Sequence, residues 1–138
     1  MTVHGGLLRL ETPGNGDIVD ITPGVESVLA TSGVDRGVLI AFATGSTVAI
    51  TTMEYEPGGV HDLQALLDRL VPAGEQYEHN RRNHDTNAHA HLRAAVIGPS
   101  ETIPVVDGQL ALGTWQQVVL IDFDDRPRRR SVTVQVLS

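Results

Sequence analysis

Apolar and polar residues alternate in two short runs near the start of the chain, LLRLET at residues 7–12 and DIVDIT at residues 17–22. A period of two is that of a strand with one buried face, and the PGNG segment between the runs is a strong turn signal. The sequence therefore predicts two strands. Thr22 precedes Pro23 as an N-cap, and a short amphipathic helix is predicted from there to Gly33.

Two β-branched runs follow, VLIAFAT at residues 38–44 and STVAITTM at residues 46–53, with Gly45 at a tight turn between them. Both are apolar on successive positions, which is typical of strands buried on both faces. Such strands need a cover on each side, and the helices supply one. We expect a partner subunit on the other side, because a chain of 138 residues offers little else. The pattern thus predicts a homo-oligomer.

Helical spacing of apolar residues marks two further segments. The clearer one opens at Pro57 and ends at Pro72, and the second runs over residues 88–97 with Asn87 or Thr86 as its cap. Residues 73–86 between them are polar and predicted to be irregular. The buried face of the second helix is predicted to consist of Ala88, Leu92, Ala95 and Val96.

The last third of the chain has the pattern of a β-meander. SETIPV at residues 100–105 leads to a hairpin turn at Asp107-Gly108, followed by the long run LALGTWQQVVLIDFD and by SVTVQVL at residues 131–137. The predicted order is β-β-α-β-β-α-α-β-β-β. It indicates one α+β domain over residues 1–138, with a mostly antiparallel sheet packed against helices.

Composition excludes several kinds of chemistry. The chain has no cysteine and no lysine, which removes thiolate zinc sites, cysteine nucleophiles and Schiff bases. Its formal net charge of −7 argues against nucleic acid as a partner. No apolar stretch approaches the roughly 20 residues that span a membrane, and the start of the chain lacks a signal-peptide pattern. We therefore predict a cytoplasmic protein with no membrane partner.

One basic cluster interrupts this acidic background. Its members are Arg126, Arg128, Arg129 and Arg130, and they follow Asp122, Asp124 and Asp125. The pattern is typical of a solvated hairpin turn with compensating charges. The alternative interpretation is an anion site.

The segment NHDTNAHAHL at residues 83–92 holds three of the six histidines, His84, His89 and His91. On a regular helix His89 and His91 lie about 200° apart and cannot chelate one ion. If both act, either the first turn is irregular or each histidine reaches a different wall of a cleft. His84 and Asp85 precede the helix and can fold back over its N-terminus. The segment is either a metal or catalytic site or a polar helix start, and its spacing matches no metal signature.

Two other places carry polar residues in unusual positions. Glu54 closes a buried strand before a helix, where an acid is either a solvated end or a catalytic group. Gln116 follows Trp115 inside an apolar run, so its amide either faces outward or holds a ligand. Gly113 just before them lets a ligand or a backbone approach closely.

Several segments in order, from about Gly37 to the end, resemble the YjbQ family, whose members are named secondary thiamine-phosphate synthase. They are TGSTVAITTMEYEPG, DLQALLDRLVP, YEHN, NAHAHLRAAVIGPSETIPV, DGQLALGTWQQVVLIDFD and RSVTVQV, and GTWQ is the most specific. The resemblance implies a small α+β fold that assembles as a homotrimer. It also implies weak coupling of hydroxymethylpyrimidine diphosphate with a thiazole phosphate, beside a main cellular role that is not settled.

The resemblance also implies roles for single residues. Many members carry His-Thr-Thr or His-Thr-Ser where this chain has Gly45-Ser46-Thr47, so one histidine is missing. Our hypothesis is that His84 and His89 compensate for it. The residues that match family positions are Glu54, His79, Asn87, His91, Ser100 and Thr102.

Three functions follow as hypotheses. The first is a thiamine-phosphate synthase-like transferase, the second a histidine-bound metal-dependent hydrolase, and the third a non-catalytic trimeric module that binds a small phosphorylated ligand. The divalent metal would be Zn²⁺ or Mg²⁺. The predicted catalytic residues are Glu54, Asp85, Asn87 and His91. The predicted ligand-binding residues are Ser46, Thr47, Arg93, Ser100, Thr102, Thr114 and Gln116. The predicted metal ligands are His79, His84, His89 and His91.

Overall fold

The computed structural model describes all residues, 1–138. Eight strands and four helices follow one another as β1 (Val3–Thr12), β2 (Asp17–Asp20), α1 (Thr22–Ser32), β3 (Gly37–Thr44), β4 (Val48–Met53), α2 (Pro57–Leu70), α3 (Glu78–Asn83), α4 (Ala88–Ile97), β5 (Ser100–Val106), β6 (Gln109–Leu110), β7 (Gln117–Asp122) and β8 (Arg128–Leu137). The prediction of an α+β fold with antiparallel strands is confirmed.

The strands form two antiparallel sheets. The larger has the order β1-β8-β3-β5-β6 and the smaller the order β2-β7-β4. The strands β3 and β4 are consecutive but do not pair, since β3 lies between β8 and β5 whereas β4 pairs with β7. Residues 45–47 are therefore a corner that carries the chain from one sheet to the other. Gly45 has φ 145°, which a residue with a side chain rarely adopts.

Two hydrophobic clusters hold these layers together. The larger lies between the two sheets and α1, and the smaller lies between the three-stranded sheet, α2 and α4. The prediction of two-sided burial holds for residues 48–50 of β4. Within the single chain only one face of β3 is buried: Val38 and Phe42 are 37% and 44% exposed, because no element of the chain covers the outer face of the larger sheet. Burial of that face by a partner subunit stays a prediction.

The helix α4 has the predicted bounds but presents the opposite face to the core. Leu92 and Val96 were expected inside and are 44% and 71% exposed. The buried residues are Ala88, His89, Ala90, Arg93 and Ala94. Ala90 and Ala94 belong to the same hydrophobic cluster as Ala49 of β4, so small residues line this side of the contact between α4 and the sheet.

Three local predictions need correction. Residues 73–86 contain α3, where Glu78 forms ion pairs with Arg81 and Arg82 one turn ahead. The long run predicted as one strand divides into a loop and β7, which leaves Trp115 71% exposed. Thr22 is not an N-cap, because its hydroxyl accepts the Val118 N–H and no side chain caps α1.

None of the four helices combines the length and the apolar character needed to cross a bilayer.

Candidate functional site

Two imidazoles meet where α3 faces the first turn of α4. The ring centroids of His79 and His91 are 4.6 Å apart, and the ring planes are tilted by 44°. Both residues are half-buried, so the pair is held by protein on one side and open to solvent on the other. This is the one place in the chain where the structure brings two of the predicted histidines into contact.

Asn80 connects the two helices beneath this pair. Its Oδ1 accepts the backbone N–H of Ala88 at 3.0 Å and lies 3.2 Å from Nδ1 of His79. Asn80 was not predicted as a site residue. Its only signal in the sequence is its place directly after His79.

Asn87 occupies the N-cap position of α4 but does not act as a cap. The side chain is buried, makes no capping hydrogen bond and places Nδ2 3.4 Å from Oδ1 of Asp124. Just ahead of it, the Thr86 hydroxyl donates to Asp125, and the Asp85 carboxylate accepts the Thr86 N–H. The predicted catalytic residue Asn87 thus helps to fix the start of the helix that carries His91.

A buried network of charged side chains lies next to Asn87, at the start of α4. Arg130 donates to both carboxylate oxygens of Asp122 at 2.7 Å, and its Nη2 also donates to Thr47 at 2.7 Å. Arg128 binds Asp124 at 2.7 Å, and the Thr47 hydroxyl donates to Asp124 at 3.1 Å. Asp122, Asp124 and Arg130 are buried, so the predicted solvated turn is wrong for these residues. Thr47 is committed to this network instead of facing a ligand.

The pKa of Asp124 reflects this network. Burial alone would raise it, but hydrogen bonds from Arg128, the Asp125 N–H, Asn87 and Thr47 outweigh the burial and hold the pKa well below its ordinary range. The carboxylate is therefore ionised under all ordinary conditions, and it can only accept hydrogen bonds.

We expect Asp124→Asn to lower the free energy of unfolding at pH 7 by about 1–3 kcal/mol, because buried donors lose a charged acceptor. A folded-state pKa below the unfolded value of about 3.9 stabilises the fold above that pH, and this stability is lost as the pH falls further. The difference between wild type and variant should therefore shrink below about pH 4. Urea unfolding at pH 7 and pH 3 measures it, and a constant difference would contradict the assignment.

Arg93 was predicted to bind phosphate, and its position contradicts this. The residue is 7% exposed. Its Nε and Nη2 donate to the carbonyl of Val71 at 3.0 and 2.8 Å, and Nη2 also reaches Asp68 at 3.1 Å. The guanidinium therefore ties α4 to the end of α2 and is not free to receive an anion.

The other two predicted histidines do not join the pair. His84 is exposed at the C-cap of α3 with φ 51°, and His89 is 8% exposed on the far margin of α4. Burial, aided by Arg93, lowers the pKa of His89, whose Nδ1 has no partner. No group of three His, Cys, Asp or Glu side chains could hold a metal ion within the chain. The four predicted metal ligands therefore do not meet in one site within the chain, and a metal held between subunits stays a prediction.

A second group of predicted residues lies at one end of the three-stranded sheet, and the buried charges around Asp122 lie at the other end. Glu54 and Gln116 flank the end where Met53 pairs with Gln117, whereas Asp122 pairs with Val48 at the other end. Six residues of strand separate the two ends by roughly 17 Å. The Gln116 amide is satisfied locally, since Nε2 donates to Thr52 and Oε1 accepts the Gly113 N–H, both at 3.0 Å.

The remaining predicted ligand-binding residues are exposed but dispersed. Ser100 and Thr102 lie beside Phe42 and Ile40 on the uncovered face of the larger sheet. Ser46 is exposed at the corner between the sheets, and Thr114 is exposed in the loop before β7. Within one chain, none of them shares the surroundings of the histidine pair.

Comparison with known proteins places this arrangement in a family. The family model described as UPF0047 protein YjbQ-like matches residues 7–138. The chain belongs to the UPF0047 family. A UPF0047 protein of Methanothermobacter thermautotrophicus is 39% identical over 136 residues, which are 99% of this chain and 93% of the relative. A UPF0047 protein of Archaeoglobus fulgidus is 38% identical over 94% of this chain and 98% of the relative.

Solved structures of UPF0047-like proteins share the fold. A YbjQ-like protein of unknown function from Sulfolobus solfataricus P2 superposes with a TM-score of 0.89 and 31% identity over 99% of both chains. A hypothetical protein from Aeropyrum pernix K1 superposes with a TM-score of 0.90 and 35% sequence identity, over 97% of this chain and 98% of its own chain. The family assignment predicted from the sequence is confirmed, and UPF0047 is a family whose function is not known.

Proposed function

We propose that the chain is an enzyme acting on a small phosphorylated molecule, with His79 and His91 as its proton-transfer groups. The observation that carries the proposal is the half-buried pair of imidazoles, 4.6 Å apart between two helices. Histidine is the side chain best suited to proton transfer near neutral pH. The pair lies beside the N-terminus of α4, where the helix dipole favours a negatively charged ligand.

The reaction to which the sequence resemblance points is thiamine-phosphate synthesis. The thiazole nitrogen forms a bond to the methylene carbon of the pyrimidine, and the bond from that carbon to the diphosphate oxygen breaks. The electron pair of the broken bond leaves with the diphosphate. A histidine of the pair would act on the departing group as a general acid, and the second would orient the substrate.

A metal-dependent hydrolase is the second candidate, favoured by the hydrogen bond between His79 and Asn80. Histidines that bind metals almost always donate their other ring N–H to a neighbouring acceptor. His79 and His91 would then be two ligands of Zn²⁺, and the remaining protein ligand would come from a second subunit. The metal would activate a water molecule for hydrolysis.

One series of measurements separates these candidates. Plasma mass spectrometry of the purified protein, before and after a mild chelator, detects a bound metal. Incubation with hydroxymethylpyrimidine diphosphate, thiazole phosphate and Mg²⁺ then tests for thiamine phosphate. Product without a resident transition metal supports the transferase, and stoichiometric zinc without product supports the hydrolase. Binding of either substrate with no turnover and no metal would leave a ligand-binding module and contradict both enzymes.

The proposal includes a homotrimer. The uncovered face of the larger sheet exposes Val38, Phe42 and Val106, and α4 exposes Leu92 and Val96. Apolar surface of this extent is typical of a protein–protein interface. A neighbouring subunit would also bring to the histidine pair the groups that lie at the Met53–Gln117 end of the three-stranded sheet.

We expect Val96→Asp to convert the assembly to monomers, because a charge would be buried at the subunit contact. Val96 is 71% exposed in the single chain, so the fold itself should lose less than about 0.5 kcal/mol. Sedimentation equilibrium measures the mass. Gln76→Asp, at an exposed loop position, is the control and should keep the mass of the wild type. An unchanged mass for Val96→Asp would remove α4 from the interface.

A further inference from the structure

The orientation of the Asn80 amide follows from its contact with Ala88. The backbone N–H of Ala88 can only donate, so the side-chain atom 3.0 Å from it must be the oxygen of Asn80. The same oxygen lies 3.2 Å from Nδ1 of His79. An oxygen has no proton to give, and Nδ1 of His79 must therefore be the donor.

We propose that Asn80 is a positioning residue that holds His79 in its Nδ1–H tautomer and leaves the Nε2 lone pair for the ligand. This inference rests on the proposed function for the role of His79, but the tautomer itself does not. The opposite tautomer would set the lone pair of Nδ1 against that of the Asn80 oxygen at 3.2 Å. That arrangement is repulsive, and nothing else bonds to either ring nitrogen of His79.

The contact also fixes where the ring lies. Asn80 belongs to α3 and Ala88 begins α4, so a single oxygen joins both helices at the point where His79 approaches His91. A ring turned by 180° about its Cβ–Cγ bond would place Cδ2 where Nδ1 lies and Cε1 where Nε2 lies, and the contact with Asn80 would be lost. With Nδ1 bonded to Asn80, the basic nitrogen of His79 has one defined position in the pair.

The tautomer can be measured without any substrate. The ¹⁵N shifts of the His79 ring at about pH 8.5, where free histidine is neutral, distinguish the Nδ1–H and Nε2–H forms. We expect Nδ1–H in the wild type and in Asn80→Asp, whose carboxylate is also an acceptor. We expect the Nε2–H form, which free imidazole side chains prefer, in Asn80→Ala. An Nε2–H ring in the wild type, or an unchanged Nδ1–H ring in Asn80→Ala, would overturn the proposal.

A matched control separates positioning from general loss of structure. Asn83 lies in the same helix and its Nδ2 donates to the carbonyl of His79 at 2.9 Å, without touching the ring. Asn83→Ala should therefore weaken α3 but keep the Nδ1–H tautomer. If Asn83→Ala shifts the tautomer as much as Asn80→Ala does, the effect is structural and the positioning role is wrong.

Turnover provides the second readout. In whichever reaction the wild type performs, Asn80→Ala should lower kcat by about 10–100-fold with little change in KM, and Asn80→Asp should restore most of it. If the tautomer responds as expected but the wild type has no activity, the positioning role of Asn80 stands and the proposed enzyme function fails. If kcat is unchanged while the tautomer shifts, the link between Asn80 and catalysis is wrong.

Discussion

Asp122→Asn is expected to lower the free energy of unfolding by about 3–5 kcal/mol, since the buried guanidinium of Arg130 loses the carboxylate to which it is hydrogen-bonded. The Asp122 side chain is fully buried and that of Arg130 is 8% exposed. Asp122 accepts both guanidinium bonds at 2.7 Å and also the hydroxyl of Thr12. An asparagine offers one acceptor oxygen and no charge, so the guanidinium loses one of its two bonds and its counter-ion.

A matched control isolates the effect of burial. Asp107 forms a pair with Arg36 at 3.8 Å, but both side chains are about four-fifths exposed. Exposed pairs contribute about 0–1 kcal/mol, so Asp107→Asn should be almost neutral. Urea unfolding of both variants at pH 7 gives the comparison. Equal losses in the two variants would show that the network around Arg130 is not a buried one in solution.

His91→Gln is expected to reduce kcat/KM by about 10²–10⁴-fold in the coupling assay, because glutamine keeps polar contacts but cannot transfer a proton. His91 is half-buried on α4 and has no hydrogen-bond partner within the chain, so the fold should tolerate the change. Steady-state kinetics and thermal unfolding together separate chemistry from stability. If the purified protein carries zinc, the same variant should also lose it.

His61→Gln is the matched control for this experiment. His61 is exposed near the start of α2, and its only partner is the neighbouring Asp62. We expect full activity from it. A folded His91→Gln protein with the kinetics of the wild type would remove the histidine pair from the mechanism, whatever reaction the family performs.

The sequence predicts the helices and strands well where patterns are local. The bounds of α4 and the turn at Asp107-Gly108 follow from apolar spacing and glycine chemistry, and both are found. Which face of α4 is buried does not follow from the apolar spacing. Its burial depends on small residues of β4 meeting Ala90 and Ala94, which is a tertiary contact. The short helix α3 lacks an apolar stripe, so its pattern is that of a loop.

The candidate site shows the same division. The sequence identifies His79 and His91 as residues of interest, and the structure brings them together. The sequence analysis predicts the wrong partners for Thr47 and Arg93. In the structure Thr47 donates to the buried carboxylate of Asp124, and Arg93 donates to the carbonyl of Val71. The sequence pattern relates Arg130 to Asp122 and its neighbouring acids as compensating charges, but it places them in a solvated turn, whereas Arg130 and Asp122 are buried. Charge patterns along a chain do not reveal which charges will be enclosed.

The corner at Gly45 couples the residue at this position to Arg130. A Cβ atom there would lie 2.8 Å from Nη1 of Arg130, and the backbone φ of 145° already disfavours any side chain. A histidine at this position, which the family resemblance implies for many members, would thus require the arginine and the corner to move as well. The effects of substitutions at Gly45 and Arg130 should therefore be non-additive, because the two residues share one packed corner.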